Sequence, residues 1–130
     1  MSTAITAIRN FEFKKSKVYQ DEYDLIIDEI NDCVSTDWSG STVSDVLTYI
    51  EENSRIDSIE FLIFVRDDFD FNNVTQYEKE TILKMYENPK GLASAEKNRW
   101  LQKVNKEDNL HSCLKWLMDQ WKDGYVILIG

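Results

Sequence analysis

The sequence predicts an α+β fold: a small sheet of about three strands covered by about five helices, in a single domain over residues 1–130. Three observations lead there. Apolar residues recur at helical spacing through long stretches, two short runs are apolar on both alternating faces, and the helical stretches come in groups between the strand-like runs instead of singly. With 42% hydrophobic residues, four Trp, six Tyr and six Phe, a chain of 130 residues can bury one core, and four Gly with one Pro leave no linker between two.

Taken in order, Ile5 to Lys14 ends in the alternation Phe11-Glu12-Phe13-Lys14 of a strand with one wet face. From Val18 to Val34 the period reads as helical, with Tyr19, Tyr23, Ile26, Ile27, Ile30, Cys33 and Val34 within about 120° of each other on a wheel. Asp37-Trp38-Ser39-Gly40 is turn-like, and Thr42 with Asp45 gives an N-cap signal for a second helix reaching about Asn53 on Val46, Leu47, Tyr49 and Ile50. Ser58 to Arg66, apolar on both faces at its centre, reads as a central, doubly covered strand.

A third helix spans about Thr75 to Glu87, with Glu80 and Lys84 at i,i+4, and Asn88-Pro89-Lys90-Gly91 stops it. A basic fourth helix runs from Ser94 to Val104. Asn105 then caps a fifth, with Asp108 at its third position; Leu110, Cys113, Leu114, Leu117, Met118 and Trp121 share one face, and Gly124 ends it. Tyr125 to Ile129 closes the chain as a buried strand.

Charge is segregated. Val18 to Ser54 runs 37 residues without Lys or Arg while carrying Asp21, Glu22, Asp24, Asp28, Glu29, Asp32, Asp37, Asp45, Glu51 and Glu52. Residues 1–17 carry +3, 18–75 carry −13 and 76–130 carry +1, which recovers the net −9. Such a field attracts basic partners and repels nucleic acid and anionic membrane.

On the expected first helix, Asp21, Asp24, Asp28 and Asp32 would stack at spacings of three and four into a stripe about 16 Å long, with neighbouring carboxylates about 5–6 Å apart. A surface that merely needs solubility usually mixes its signs. The stripe, joined by Asp37, Asp45, Glu51 and Glu52, suits a Lys/Arg-rich surface of the kind that neutralises nucleic-acid phosphates. Apolar anchors would come from Trp116, off the apolar face of the last helix, and from Trp38 between the two acidic helices.

No catalytic signature accompanies the charge. Asp68, Asp70 and Asn72 imitate the start of an EF-hand loop, but Asn73 stands where Gly belongs and Lys79 where the bidentate Glu belongs. A Mg²⁺ site from Asp67, Asp68 and Asp70 is the weakest of three functional readings. His111 and Cys113 would point about 160° apart on a helix, which rules out a shared metal or a nucleophile–base pair. Glu12-Phe13-Lys14 has the spacing of a nuclease half-motif without its preceding acid. The chain has no phosphate-binding glycine loop, G-x-S-x-G, H-E-x-x-H or C-x-x-C, so the sequence calls for no cofactor, no metal and no enzymatic activity.

Cys33 and Cys113, on apolar positions of a chain without a signal-peptide layout, read as buried thiols in a cytoplasmic protein. The longest apolar run, Phe61 to Val65, is far too short to span a bilayer.

The expected function is therefore that of a small acidic inhibitor, a nucleic-acid mimic that masks the basic surface of a nuclease or other nucleic-acid enzyme and binds neither nucleic acid nor membrane itself. In size, charge and lack of an active site the chain resembles, in type only, small bacterial immunity proteins and phage anti-defence inhibitors. The alternative is a self-associating scaffold whose acidic half meets the basic stretch Lys90, Lys97, Arg99, Lys103 and Lys106 of a second copy.

Overall fold

The computed structural model describes residues 2–54 and 62–130, leaving aside the side chains of 89–93. The chain opens with β1 (Ser2–Ile8), turns at Asn10, whose φ is 52°, and returns as β2 (Glu12–Lys15). Two more strands follow, β3 (Glu22–Ile26) and β4 (Cys33–Ser39), and then helix α1 (Gly40–Asn53). Next come β5 (Ile63–Val65), β6 (Val74–Thr75), α2 (Gln76–Glu87), α3 (Pro89–Leu101), α4 (Asn109–Lys122) and β7 (Val126–Ile129).

The described strands form two sheets, one ordered β4-β1-β7-β5 and the other β2-β3-β6. In the larger, β1 runs antiparallel to both neighbours while β5 lies parallel to β7; the smaller is antiparallel throughout. The larger sheet is covered on both faces, which is why every residue of Val126-Ile127-Leu128-Ile129 is buried. On one face Ile5, Ala7, Ile127 and Ile129 pack against Val43, Val46 and Ile50 of α1, Leu114, Leu117 and Trp121 of α4, and Trp100 of α3. On the other, Ile8, Val126, Leu128 and Phe64 meet Leu25 of β3, Val74 of β6, and Ile82 and Met85 of α2. The result is a mixed α/β domain of three layers, with four helices and seven strands among the described residues.

The largest correction concerns Val18 to Val34, where the expected helix is replaced by strands and turns. The apolar spacing there is a coincidence. Tyr19 and Ile30, which would have lain on the buried stripe, are 46% and 90% exposed, whereas Leu25, outside that stripe, is 4% exposed. The operative period is two: Tyr23, Leu25 and Ile27 point to the same core.

Turn chemistry sets the breaks. The Ser16 hydroxyl accepts from the Val18 and Tyr19 amides, Asp21 adopts φ 63°, and the Asp28 carboxylate accepts from the amides of Ile30 and Asn31. The run of like charges at helical spacing, which costs a helix a few tenths of a kcal/mol per pair, disfavours the alternative further.

Smaller corrections follow the same logic. The expected strand Ile5 to Lys14 divides into β1 and β2, which join different sheets, so the sheet content exceeds three strands. Ser39, not Thr42, caps α1: its Oγ accepts from the Thr42 amide at 3.2 Å, and the helix begins at Gly40. Ser58 to Arg66 lies partly outside the described residues, and its described portion, β5, pairs at the sheet's edge with β7; the central places go to β1 and β7.

Pro89 does not merely stop α2 but opens α3, since the first helical turn has no amide to lose. α4 begins at Asn109, four residues past the Asn105 signal, with Asp108 in the N-cap position and no side-chain cap bond, while the Asn105 side chain accepts from the Glu107 amide in the turn before it. The span of α2, the apolar stripe of α4 and the Gly124 terminus at φ 89° agree with expectation, and a capping box of Thr75 with Glu78 fixes the start of α2. Among the described residues no helix is long and apolar enough to cross a membrane.

Candidate functional site

Without the helix there is no stripe, and the four aspartates expected on it serve different purposes. Asp28 and Asp32 work inside the fold. Asp28 holds the turn before β4, and its bonds from Asn31 and Ile30 keep its carboxyl below the ordinary value. Asp32 accepts from the Arg9 Nε at 3.3 Å and the Asn10 side chain at 3.1 Å, while its carbonyl takes the Arg9 amide. Asp24 stands on β3 opposite Lys14, and Asp21 occupies the exposed turn before that strand.

The remaining acids gather elsewhere. Asp37 is exposed on β4, and Asp45, Glu51 and Glu52 are exposed on α1. α1 touches β4, β1 and α4, so it lies over the β4 half of the large sheet and brings its acids to the side of the molecule that carries the β4 edge. Glu29, exposed just before β4, belongs to this group although the sequence does not nominate it. None of these five carboxylates forms an ion pair with a described residue.

The two tryptophans are seated differently from expectation. Trp38 and Trp116 are both half-buried and pack against the first core, so neither stands free as an anchor. The indole nitrogen of Trp38 is buried and meets no hydrogen-bond acceptor among the described residues.

Beside the β4 edge, on the face of Cys33 and Ser35, a cleft of about 400 Å³ is lined by Thr6, Glu29, Cys33, Ser35 and Phe71. Phe71 in its lining is backed by further aromatics: Phe71 meets Phe69 edge-on at 5.4 Å, Phe69 meets Phe64 at 5.8 Å, and the Arg66 guanidinium lies over Phe69. Arg66 is fixed in turn by buried Glu78 at 2.5 Å. Cys33 is half-buried in the cleft wall, where desolvation, and then the Glu29 charge, push its thiol up. A second groove, of about 720 Å³, runs between the N-terminal half of α1 and the loop after β5, with Asp37, Asp67 and Asp68 in its lining.

The loop after β5 spends its acids locally. The Asp70 side chain accepts from the Asn72 amide and its carbonyl from the Asn73 amide, while Asp68 adopts φ 53°. Among the described residues no three His, Cys, Asp or Glu side chains converge as metal ligands. His111 is half-buried on α4 with Nδ1 lacking a hydrogen-bond partner among the described residues, and Cys113 is buried in the core, so the two remain separate as their helical spacing requires.

Two of the four described cations of the basic stretch, Lys97 and Arg99, are engaged within the chain. Lys97 pairs with Asp119 at 2.6 Å, and Arg99 bonds Glu96 and the Asn53 carbonyl at the end of α1, where a cation meets the negative pole of the helix. Lys103 and Lys106 are exposed, and the side chain of Lys90 lies outside the described residues. Comparison with family models, with curated proteins and with solved structures finds no match for this chain.

Proposed function

We propose that the protein is a small acidic inhibitory binding protein that covers a basic, nucleic-acid-binding surface of a nuclease or defence enzyme. One observation carries this reading. The 37-residue segment without Lys or Arg supplies the β4 edge and the outer face of α1, and Glu29, Asp37, Asp45, Glu51 and Glu52 stand on or beside them, exposed and without an ion pair to any described residue. A solvated face normally relieves such charge with lysines at i,i+4 or across a strand. Carboxylates held on a rigid sheet edge and helix lose little entropy on meeting a basic surface, and complementary fields speed the encounter. The engagement of Lys97 and Arg99 within the chain favours this reading over a scaffold that joins acidic and basic halves of two copies.

The test is capture of partners from host lysate at low and moderate salt by the wild type and by a variant with Asp37→Asn, Asp45→Asn, Glu51→Gln and Glu52→Gln. These positions replace the four aspartates of the expected stripe, because neutralising Asp28 and Asp32 would damage the turn and the Arg9 contact. The expected result is a stoichiometric nucleic-acid enzyme that duplex DNA or RNA displaces and that the variant, folded by circular dichroism, fails to retain. Capture indifferent both to the four substitutions and to nucleic acid would overturn the reading.

A further inference from the structure

The four residues Asp37, Asp45, Glu51 and Glu52 explain attraction but not how a partner is held, and the backbone of β4 supplies that. β4 is a terminal strand of the large sheet, with β1 as its one neighbour among the described strands. Its pairing runs without a bulge from Ser2↔Ser39 to Ile8↔Cys33. The phase of the ladder follows from the next step along it, where the Arg9 amide bonds the Asp32 carbonyl at 3.0 Å. Antiparallel ladders alternate bonded and non-bonded pairs. Val34, Thr36 and Trp38 therefore turn their N–H and C=O groups toward β1, and Cys33, Ser35 and Asp37 turn theirs outward.

Two contacts agree with this phase. The Gly130 amide bonds the Ala4 carbonyl on the far side of β1, so Ala4 is committed to β7 and its partner Asp37 faces away. The hydroxyls of Thr6 and Ser35 approach to 3.0 Å, as side chains do at a non-bonded pair.

Edges of this kind are usually blunted by Lys, Pro, a bulge or a covering segment. Among the described residues β4 carries none of these, and Ser35 and Asp37 are exposed. A strand added there would lie about 4.8 Å from β4 and could run its full seven residues, about 24 Å. Every second side chain of the added strand would stand on the face of Cys33, Ser35 and Asp37, above the cleft, with Glu29 and Asp37 for a charge and Phe71 for an aliphatic stem. The intervening side chains would lie beside Val34 and Thr36.

We propose that the β4 edge binds an extended protein segment with Lys or Arg at alternate positions, as an added β-strand whose backbone bonds Cys33, Ser35 and Asp37. This rests on the acidic-surface reading above and names the chemistry of the partner at that surface. Charge selects the occupant. A second copy paired through the same edge would set Glu29 and Asp37 against their own counterparts, with no Lys or Arg between residues 18 and 54 to offset them.

The test uses the full chain and an end-blocked nine-residue peptide alternating Lys and Val, with a Glu-Val peptide as control, read by residue-resolved amide exchange and by titration. In the free protein Val34 and Thr36 should be protected, while Ser35 and Asp37 exchange freely. The Lys-Val peptide should slow exchange at Ser35 and Asp37 at least about tenfold. The Glu-Val peptide should not bind. Ser35→Pro removes an outward amide without touching the β1 ladder and should weaken peptide binding at least about tenfold, whereas Ser35→Ala should bind as wild type.

Binding of the Lys-Val peptide without protection at Ser35 and Asp37, or equal binding by a folded Ser35→Pro variant, would overturn strand addition and leave charge masking standing. Absence of any peptide binding at low salt would overturn both. A dimer that protects the same amides without peptide would assign the edge to a second copy and overturn the proposal. The exchange measurement on wild type decides the matter even if Ser35→Pro fails to fold.

Discussion

Glu78 holds the Arg66 side chain that lies over Phe69, behind the cleft, and its removal has a calculable cost. It is 7% exposed, and its two carboxylate oxygens have separate partners: Oε2 takes the Arg66 Nη1 at 2.5 Å, and Oε1 takes the Thr75 amide at 3.0 Å in the capping box of α2. Glu78→Ala removes the cap contact, about 1 kcal/mol, and a charge-assisted bond of about 1.5–3 kcal/mol.

The lower end of that range applies to the second part, because the Arg66 side chain is 32% exposed and can turn to water when its partner is lost. The total is about 2–3 kcal/mol. For a chain of this length that is a fall in Tm of about 10 °C. Urea denaturation followed by tryptophan fluorescence, on wild type, Glu78→Ala, Arg66→Met and the double variant, should give a coupling of about 1–2 kcal/mol for the pair. Thr75→Ala should cost about 1 kcal/mol by itself. A loss below about 1 kcal/mol for Glu78→Ala, or an additive cycle, would show that the pair and the cap are not what fixes this corner of the fold.

The two thiols should differ: a thiol reagent should modify Cys33 in the native protein, slowly because burial and Glu29 raise its pKa, and reach Cys113 only on unfolding. Burial pushes the Cys113 thiol up from 9.0 to about 11, so its contribution to stability is whole below pH 9 and is lost as pH rises toward 11; Cys113→Ala should lessen the alkaline decline in urea midpoint, and an unchanged decline would refute the assignment. At Asp119, desolvation works to raise the carboxyl, but the hydrogen bonds and charges of Lys97 and Lys115 outweigh it and hold it below the ordinary value. That contribution is present above the unfolded carboxylate pKa and is lost as pH falls through the lowered folded one, so the difference in urea midpoint between wild type and Asp119→Asn should be larger at pH 7 than at pH 3. A difference independent of pH would mean that Asp119 acts through packing alone.

Helix boundaries and faces were legible wherever a cap and an apolar stripe coincide. The expected span from about Thr75 to Glu87 matches α2, and in α4 the residues from Leu110 to Trp121 leave a continuous buried face that Gly124 ends. The segment from Val18 to Val34 was misread because its apolar residues satisfy two periods at once, and only the Ser16 and Asp28 turns and the burial of Leu25 choose between them. The alternation Glu22-Tyr23-Asp24-Leu25 and the turn formers Asp28 and Asn31 carried the strand signal, outvoted by the longer apparent helix. Likewise the acidity of residues 18–54 was plain in the sequence while its arrangement was not.

By itself the sequence determined the net charge, its confinement to one stretch, the mixed α/β class, and the single apolar face of α4, because these depend on composition and on contacts within a few residues. Only the tertiary structure decided that Asp28 and Asp32 serve the fold, that Trp38 and Trp116 rest on the core, and that β4 ends its sheet with three residues' backbone groups facing outward. Each of these depends on which strand lies beside which, and strand pairing joins residues as distant as Ile8 and Val126, whose contact no local pattern encodes.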